Sequence, residues 1–240
     1  MKNLILNATF LTTVLICSCG DSSNKESTSK KDSDDSAKEV VIGKQIWMTE
    51  NLNVNTFRNG DTIPQAKSSK EWDDACKNSQ PAWCYYNNNP DNGAIYGKLY
   101  NWFAVNDPRG LAPGGWSIPT VDDWHRMVDF LGGSDPDKAS NSMKSKEIWQ
   151  DNNKTARSNP TNESGFSAYP GGNRRSDGVF DDINQMAYWW SSSVEEDGCA
   201  WVINLLEYST NVSFDKLQYH GCEYYGFSVR CFKNLDSENK

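Results

Sequence analysis

Five cysteines at positions 76, 84, 199, 222 and 231 are the residues of this chain best equipped for covalent chemistry, and Cys17 and Cys19 add two more near the start. An oxidising compartment favours disulfides. Five is an odd number, so at least one thiol stays free or pairs between molecules, and spacing alone leaves the connectivity open. The two histidines, His125 and His220, lie far apart and make no zinc spacing. No Gly-x-Ser-x-Gly elbow or phosphate-cradling glycine loop is present. Both histidines read as solvated surface groups, and no catalytic residue, metal ligand or cofactor is expected. Asp177-Gly178 with Asp181-Asp182-Ile183-Asn184, and Glu195-Glu196-Asp197, offer the hard oxygens that Ca²⁺ prefers, but neither follows the EF-hand spacing. They read as solvated turns. Aromatic rings can stack on sugars: Trp83, Tyr85 and Tyr86 beside Asn87-Asn88-Asn89, and the pair Tyr224 and Tyr225, are the candidate ligand-binding residues.

The first residues address the chain rather than fold it. Lys2 precedes a mostly apolar stretch, Leu4–Ile16, too short and too polar for a stable membrane-spanning helix. It ends in Ile16-Cys17-Ser18-Cys19-Gly20, which resembles the bacterial lipoprotein lipobox, with Cys19 the acylated residue and the mature N-terminus. Several acyl chains at about 0.8 kcal/mol per buried CH₂ hold a protein stably on a bilayer. Gly20–Glu39 carries six Ser, four Lys and six Asp or Glu and no aromatic residue, a composition that favours disorder. As a coil it spans roughly 25 Å. The expected organisation is a signal peptide over 1–18, a lipidated Cys19 and tether over 19–39, one domain over 40–234 and a tail over 235–240.

All ten tryptophans fall between Trp47 and Trp201. Trp and Tyr bury large areas yet need a partner for N–H or O–H, so the core should be built of polar-tipped aromatics. Val40–Met48 reads as a hairpin turning at Gly43-Lys44. Ser68–Cys76 predicts a helical turn with Trp72 and Ala75 or Cys76 inward. Ile95, Leu99, Trp102 and Phe103 predict a helix over 94–105. Thr120 with Asp123 makes a capping box ahead of a helix that Gly132-Gly133 stops, its apolar face Val121, Trp124, Val128 and Leu131. Ala200–Leu206, Val212–Phe214 and Gly226–Phe232 alternate as antiparallel strands, with Val229 and Cys231 on one face of the last.

Six ordered blocks carry a resemblance: Ile42–Leu52 (IGKQIWMTENL), Tyr96–Trp102 (YGKLYNW), Gly115–Thr120 (GWSIPT) with Trp124, Tyr169–Arg174 (YPGGNR), Tyr188–Ser193 (YWWSSS) and Gly226–Cys231 (GFSVRC). Together they resemble the Fibrobacter succinogenes major paralogous domain over about residues 40–233. That family is similar to the formylglycine-generating-enzyme branch of the C-type-lectin-like folds. The resemblance implies an α+β, C-type-lectin-like domain: a short twisted antiparallel sheet, two helices and long loops. It also implies, by analogy with folds that tie an early cysteine to the last strand, Cys84–Cys231 and Cys199–Cys222 bridges with Cys76 left over. Cys76–Cys84 is the competing pair. Formylglycine-generating enzymes use a closely spaced C-terminal cysteine pair with copper, a pattern from which Cys222 and Cys231 depart.

The net charge of −8 without a basic stripe argues against nucleic acid. The reading is a cell-envelope lipoprotein whose non-catalytic domain recognises a glycan or a protein. A formylglycine-generating-enzyme-like oxidoreductase and a purely structural envelope protein are the alternatives. The membrane is its partner through the lipid anchor. Gly20 is not the aspartate that favours inner-membrane retention, so the outer membrane is the expected location, with either face open.

Overall fold

The computed structural model describes residues 38–133, 135–149, 158–194, 199–217 and 224–235. Cys19, the tether up to residue 37, Glu195–Asp197, His220 and Cys222 lie outside the described residues, which all belong to one unit, Ser36–Lys240.

The opening hairpin forms as its sequence predicts. Strand β1 (Glu39–Ile42) pairs antiparallel with β2 (Gln45–Met48), and Gly43 takes the positive φ of +62° that the tight turn requires. Every residue of β2 is buried because the strand is central: its other edge pairs with β10 (Phe232–Asn234), in the register Trp47 opposite Phe232. The first and last strands of the domain thus share one sheet.

Helix α1 (Ser69–Lys77) starts at Ser68, whose side chain accepts from the Glu71 N–H, and buries Trp72 and Cys76 one turn apart. Strand β3 (Trp83–Cys84) pairs with β4 (Leu99–Tyr100), and α2 (Pro90–Tyr96) and α3 (Trp102–Val105) flank β4. The helix expected over 94–105 is therefore two short helices with a strand between them. Gly97 causes the break. It adopts φ +73°, and a Cβ there would lie 2.9 Å from Asn51 Cβ and 3.0 Å from two backbone oxygens. The Asn101 side chain then restarts a helix by accepting from the Ala104 N–H.

Helix α4 (Val121–Gly132) carries the capping box of Thr120 and Asp123. Trp124 and Met127 are its fully buried residues, while Val121, Val128 and Leu131 are half-buried. The inward face is thus centred closer to Met127 than the apolar spacing suggests. Helix α5 (Pro136–Met143), capped by Asp135, packs against α4 and has no counterpart in the sequence reading.

Two further sheets complete the domain. One is the hairpin of β5 (Gly171–Arg174) and β6 (Phe180–Ile183). The other is the antiparallel order of β7 (Met186–Val194), β8 (Ala200–Leu206) and β9 (Val212–Lys216). The expected strand over 226–232 is mostly a stitch. Gly226, Phe227 and Ser228 bridge to Arg174, Tyr100 and Trp189 in turn, each in a different sheet, and regular pairing begins at Phe232.

The fold class is α+β, with four small sheets and five α-helices among the described residues where two helices were expected. The core has three parts. Because neighbouring strand residues face opposite ways, β7 sends Trp190 into a cluster with Tyr100, Trp102 and Phe227, and Trp189 into one with Trp47, Trp124 and Phe166. Trp72, Cys76, Cys84, Tyr86 and Leu99 form the third. Among the described residues, no helix is long and apolar enough to cross a membrane.

Candidate functional site

The five candidate sugar-stacking residues do not form one platform. Trp83 and Tyr86 are buried: the Trp83 Nε1–H donates to the Ile63 carbonyl at 2.9 Å, and the Tyr86 ring packs 5.3 Å from Phe180. Tyr85 is half-buried, edge-on to Trp83 at 5.1 Å, with its ring lying where Gly93 leaves no room for a Cβ. Tyr225 stacks on Phe227 at 5.5 Å, whereas Tyr224 lies against Phe103 in the third cluster. Trp83 and Tyr86 are core residues, their faces already covered by protein, and this corrects the expectation for them.

The cysteine expectation also changes. Cys84 and Cys231 are both buried thiols, not a bridge. The cause is strand alternation: in the β3–β4 pair, Trp83 and Tyr100 face the first cluster, where Cys231 sits, while Cys84 and Leu99 face the third. The Cys76–Cys84 competitor is likewise not formed. Burial pushes the Cys84 thiol up to about 11 and the Cys231 thiol up to about 12. The Cys199–Cys222 pairing rests on Cys222, outside the described residues.

His125 is exposed on α4, stacked on Phe214 with ring centroids 4.0 Å apart. In the acidic loop, Asp182 accepts from Asn173 Nδ2 at 2.9 Å and from the Tyr188 hydroxyl at 2.7 Å, while Asp181 lies 3.7 Å from Arg175. Among the described residues, no group of three His, Cys, Asp or Glu could hold a metal ion.

The interior is unusual for its cations. Arg230, Arg174, Lys144 and Lys98 are all buried, and none has an ion-pair partner among the described residues. Carbonyl oxygens and ring faces replace carboxylates. Lys144 Nζ donates to Ser158 Oγ and to the Leu206 and Ser209 carbonyls, each at 2.7 Å, and lies 5.0 Å from the Trp149 ring. Lys98 Nζ donates to the Asn53 carbonyl and lies 4.4 Å from the Trp83 ring. Burial pushes both ammonium groups down to about 8.

Three surface grooves stand out. One of about 400 Å³ lies beside the exposed Val41 and Phe130, with Lys138 and Glu163 also lining it. One of about 330 Å³ is lined by Glu50, Asn51, Glu147 and Tyr169 among others. The roomiest of the three, about 570 Å³, runs between Arg58, the Gly114-Gly115 turn, Trp116, Ser117 and the Phe232–Asn234 strand. Its floor is the backbone bridge of Ser117 with Phe232, at 2.9 and 3.0 Å. Gly114 and Gly115 leave open space where a Cβ would sit. Trp116 is half-buried, packed against the first cluster with Lys233 Nζ 5.1 Å from its ring. This groove is the candidate site, since it combines a partly open aromatic ring with hydrogen-bonding and cationic groups in a volume suited to a small ligand.

A sequence profile described as the Fibrobacter succinogenes major domain matches residues 40–233, nearly all of the folded unit. The chain belongs to this family. No curated protein and no solved structure matches it.

The geometry shows what the blocks of the Fibrobacter succinogenes major domain do in this chain. Asn51 from the first block is the hub. Its Oδ1 accepts from Trp189 Nε1 at 2.8 Å and from Arg230 Nε and Nη2 at 3.0 and 2.8 Å. Its Nδ2 donates to the Tyr96 carbonyl at 2.9 Å and to Ser228 Oγ at 3.3 Å. Four blocks thus meet on one amide and build the polar frame. The Gly115–Thr120 block behaves differently. Its Trp116 is the one block tryptophan that is only half-buried. Sequence reasoning missed Arg58, Trp116 and Lys233 as site residues. The available signal was a tryptophan set between Gly114-Gly115 and Ser117, a flexible polar setting unlike those of the core tryptophans.

Proposed function

We propose that this protein is a cell-envelope lipoprotein, anchored through Cys19 and held off the outer membrane by its Ser- and Asp-rich tether. Its domain is a non-catalytic recognition module that takes a glycan or protein ligand in the Arg58–Trp116–Lys233 groove. The observation that carries this reading is Trp116, half-open in a groove of about 570 Å³ with Ser117, Arg58 and Asn234 around it. One aromatic face beside a few polar groups is how pockets fix orientation. The non-catalytic part is supported by the thiols: Cys84 and Cys231 are buried, with pKa values pushed up to about 11 and about 12, the reverse of an activated nucleophile. The lectin-like comparison belongs to the same proposal and is supported by the pairing of β10 with β2, which joins the two ends of the domain.

The test is a glycan array probed with the full-length protein in detergent. Binding is expected for the native chain and loss of binding for Trp116→Ala, with the unfolding transition unchanged. A blank array for the native chain would move the weight to a protein ligand or to a structural role. The anchor is checked separately: labelled palmitate should enter the native chain in cells and be absent from Cys19→Ala.

A further inference from the structure

The groove contains a cation that the fold holds in place and leaves unneutralised. Arg58 Nε and Nη2 donate to the Ala112 carbonyl at 3.1 and 3.0 Å, and Nη2 also reaches the Trp116 carbonyl at 3.2 Å. Those acceptors are neutral dipoles. They fix the guanidinium plane but do not cancel its charge, and no carboxylate forms an ion pair with Arg58 among the described residues. The neighbouring acids are already engaged. Asp61 and Asp107 both pair with Arg109, at 3.1 and 2.8 Å. Hydrogen bonds from Asn59 and then Arg109 hold the Asp61 carboxyl below its usual range, and Arg109 does the same for Asp107. Glu39 pairs with Lys233 at 3.3 Å on the groove's other wall. Arg58 Nη1 makes no hydrogen bond with any described residue, and the side chain is exposed.

In a chain of net charge −8, an exposed arginine clamped by backbone and left with a donor edge is a specific device. Guanidinium donors match carboxylate and sulfate oxygens geometrically, and immobilising the group beforehand removes entropy that binding would otherwise cost. Beside it, the Trp116 ring is backed by the first core cluster, and its indole N–H makes no hydrogen bond with any described residue. The Gly114-Gly115 turn leaves the approach open.

Resting on the recognition reading, we infer that the groove binds an anionic sugar, its carboxylate or sulfate oxygens on Arg58 Nη1 and its ring against Trp116. Uronic acids and sulfated sugars share that chemistry and are separated by the test.

The test is calorimetric titration of the full-length protein in detergent with three probes: a trigalacturonate, its carboxyl-reduced neutral counterpart, and a sulfated galactan oligosaccharide of similar length. At least one anionic probe should bind ten-fold or more tighter than the neutral one, and whichever binds identifies the anion. Arg58→Gln should erase that preference, Arg58→Lys should retain part of it, and Trp116→Ala should abolish binding of all three. Unfolding transitions of the variants separate loss of contact from loss of fold, and Arg58→Lys keeps the charge if the glutamine variant unfolds. Equal binding of charged and neutral probes would overturn the anion assignment and leave the recognition reading standing. No binding of any probe would count against both. An anion preference that survives Arg58→Gln would remove the site from this groove.

Discussion

Arg230 and Arg174 each lie in a family block, each is completely buried, and each presses its guanidinium on aromatic rings, yet they are bonded in opposite ways. Arg230 lies 4.4 Å from the Phe166 ring and donates to the Met48 carbonyl at 2.9 Å, the Phe166 carbonyl at 2.7 Å and Asn51 Oδ1 at 2.8 and 3.0 Å. Arg174 sits between Trp72 and Phe180, at 4.7 and 4.8 Å, with one long hydrogen bond to the Ala66 carbonyl at 3.4 Å. Among the described residues its Nε and Nη2 find no hydrogen-bond partner. A buried charge is costly unless its donors are satisfied. Arg230 is therefore a rivet: it saturates oxygens from segments that lie 64 to 182 residues away in sequence. Arg174 is held by ring faces, and its unused donors are a standing cost in stability.

A thiol accompanies each arginine. Cys84 lies beside Arg174, and Cys231 follows Arg230. In both, burial raises the thiol and outweighs the lowering effect of the cation. The two regions differ in how the charge is bonded and agree in how the sulfur is silenced.

The largest effect should come from Arg230→Ala, which strands the Met48, Phe166 and Asn51 oxygens inside the core. Urea unfolding followed by tryptophan fluorescence should show a loss of about 3–5 kcal/mol, or no folded protein. A loss below about 1 kcal/mol would end the rivet interpretation. Next comes thiol protection. At pH 8, Cys84 and Cys231 should resist alkylation in the folded chain and react fully in denaturant, since their thiolates form only towards pH 11 and 12. The linkage sign follows: an acid raised above its unfolded value is less ionised in the native state, so these thiols favour folding less as pH climbs past about 9. A Cys84–Cys231 bridge found in non-reduced peptide maps would contradict the strand geometry. The smallest effect is predicted for Arg174→Met. Replacing the orphaned guanidinium with an apolar side chain between Trp72 and Phe180 should change stability by less than about 1 kcal/mol, or raise it. A loss as large as that of Arg230→Ala would erase the contrast.

Legibility in the sequence followed the range of the interaction. The Gly43 turn, the Ser68 cap and the Thr120–Asp123 box involve residues at most three apart, so their side chains announce them. The 94–105 segment misled because short apolar runs satisfy helical and strand spacing alike. What broke it was Gly97 pressed on the Asn51 backbone, a contact across the chain. Aromatic candidates misled for a related reason. Trp83 beside asparagines reads as a surface ring, but its indole N–H finds the Ile63 carbonyl and its faces find Tyr85 and Lys98.

By itself, then, the sequence determined the α+β class, the local caps and turns, and membership in the Fibrobacter succinogenes major domain family through six ordered blocks. Each is written in neighbouring residues or in their order. The tertiary structure alone decided that Cys84 and Cys231 face different clusters, that Arg230 reaches Asn51, and that Trp116 and Arg58 rather than Trp83 and Tyr86 meet at a groove. Exposure and hydrogen-bond satisfaction are sums over partners distant in sequence, and those partners are brought together only by the fold.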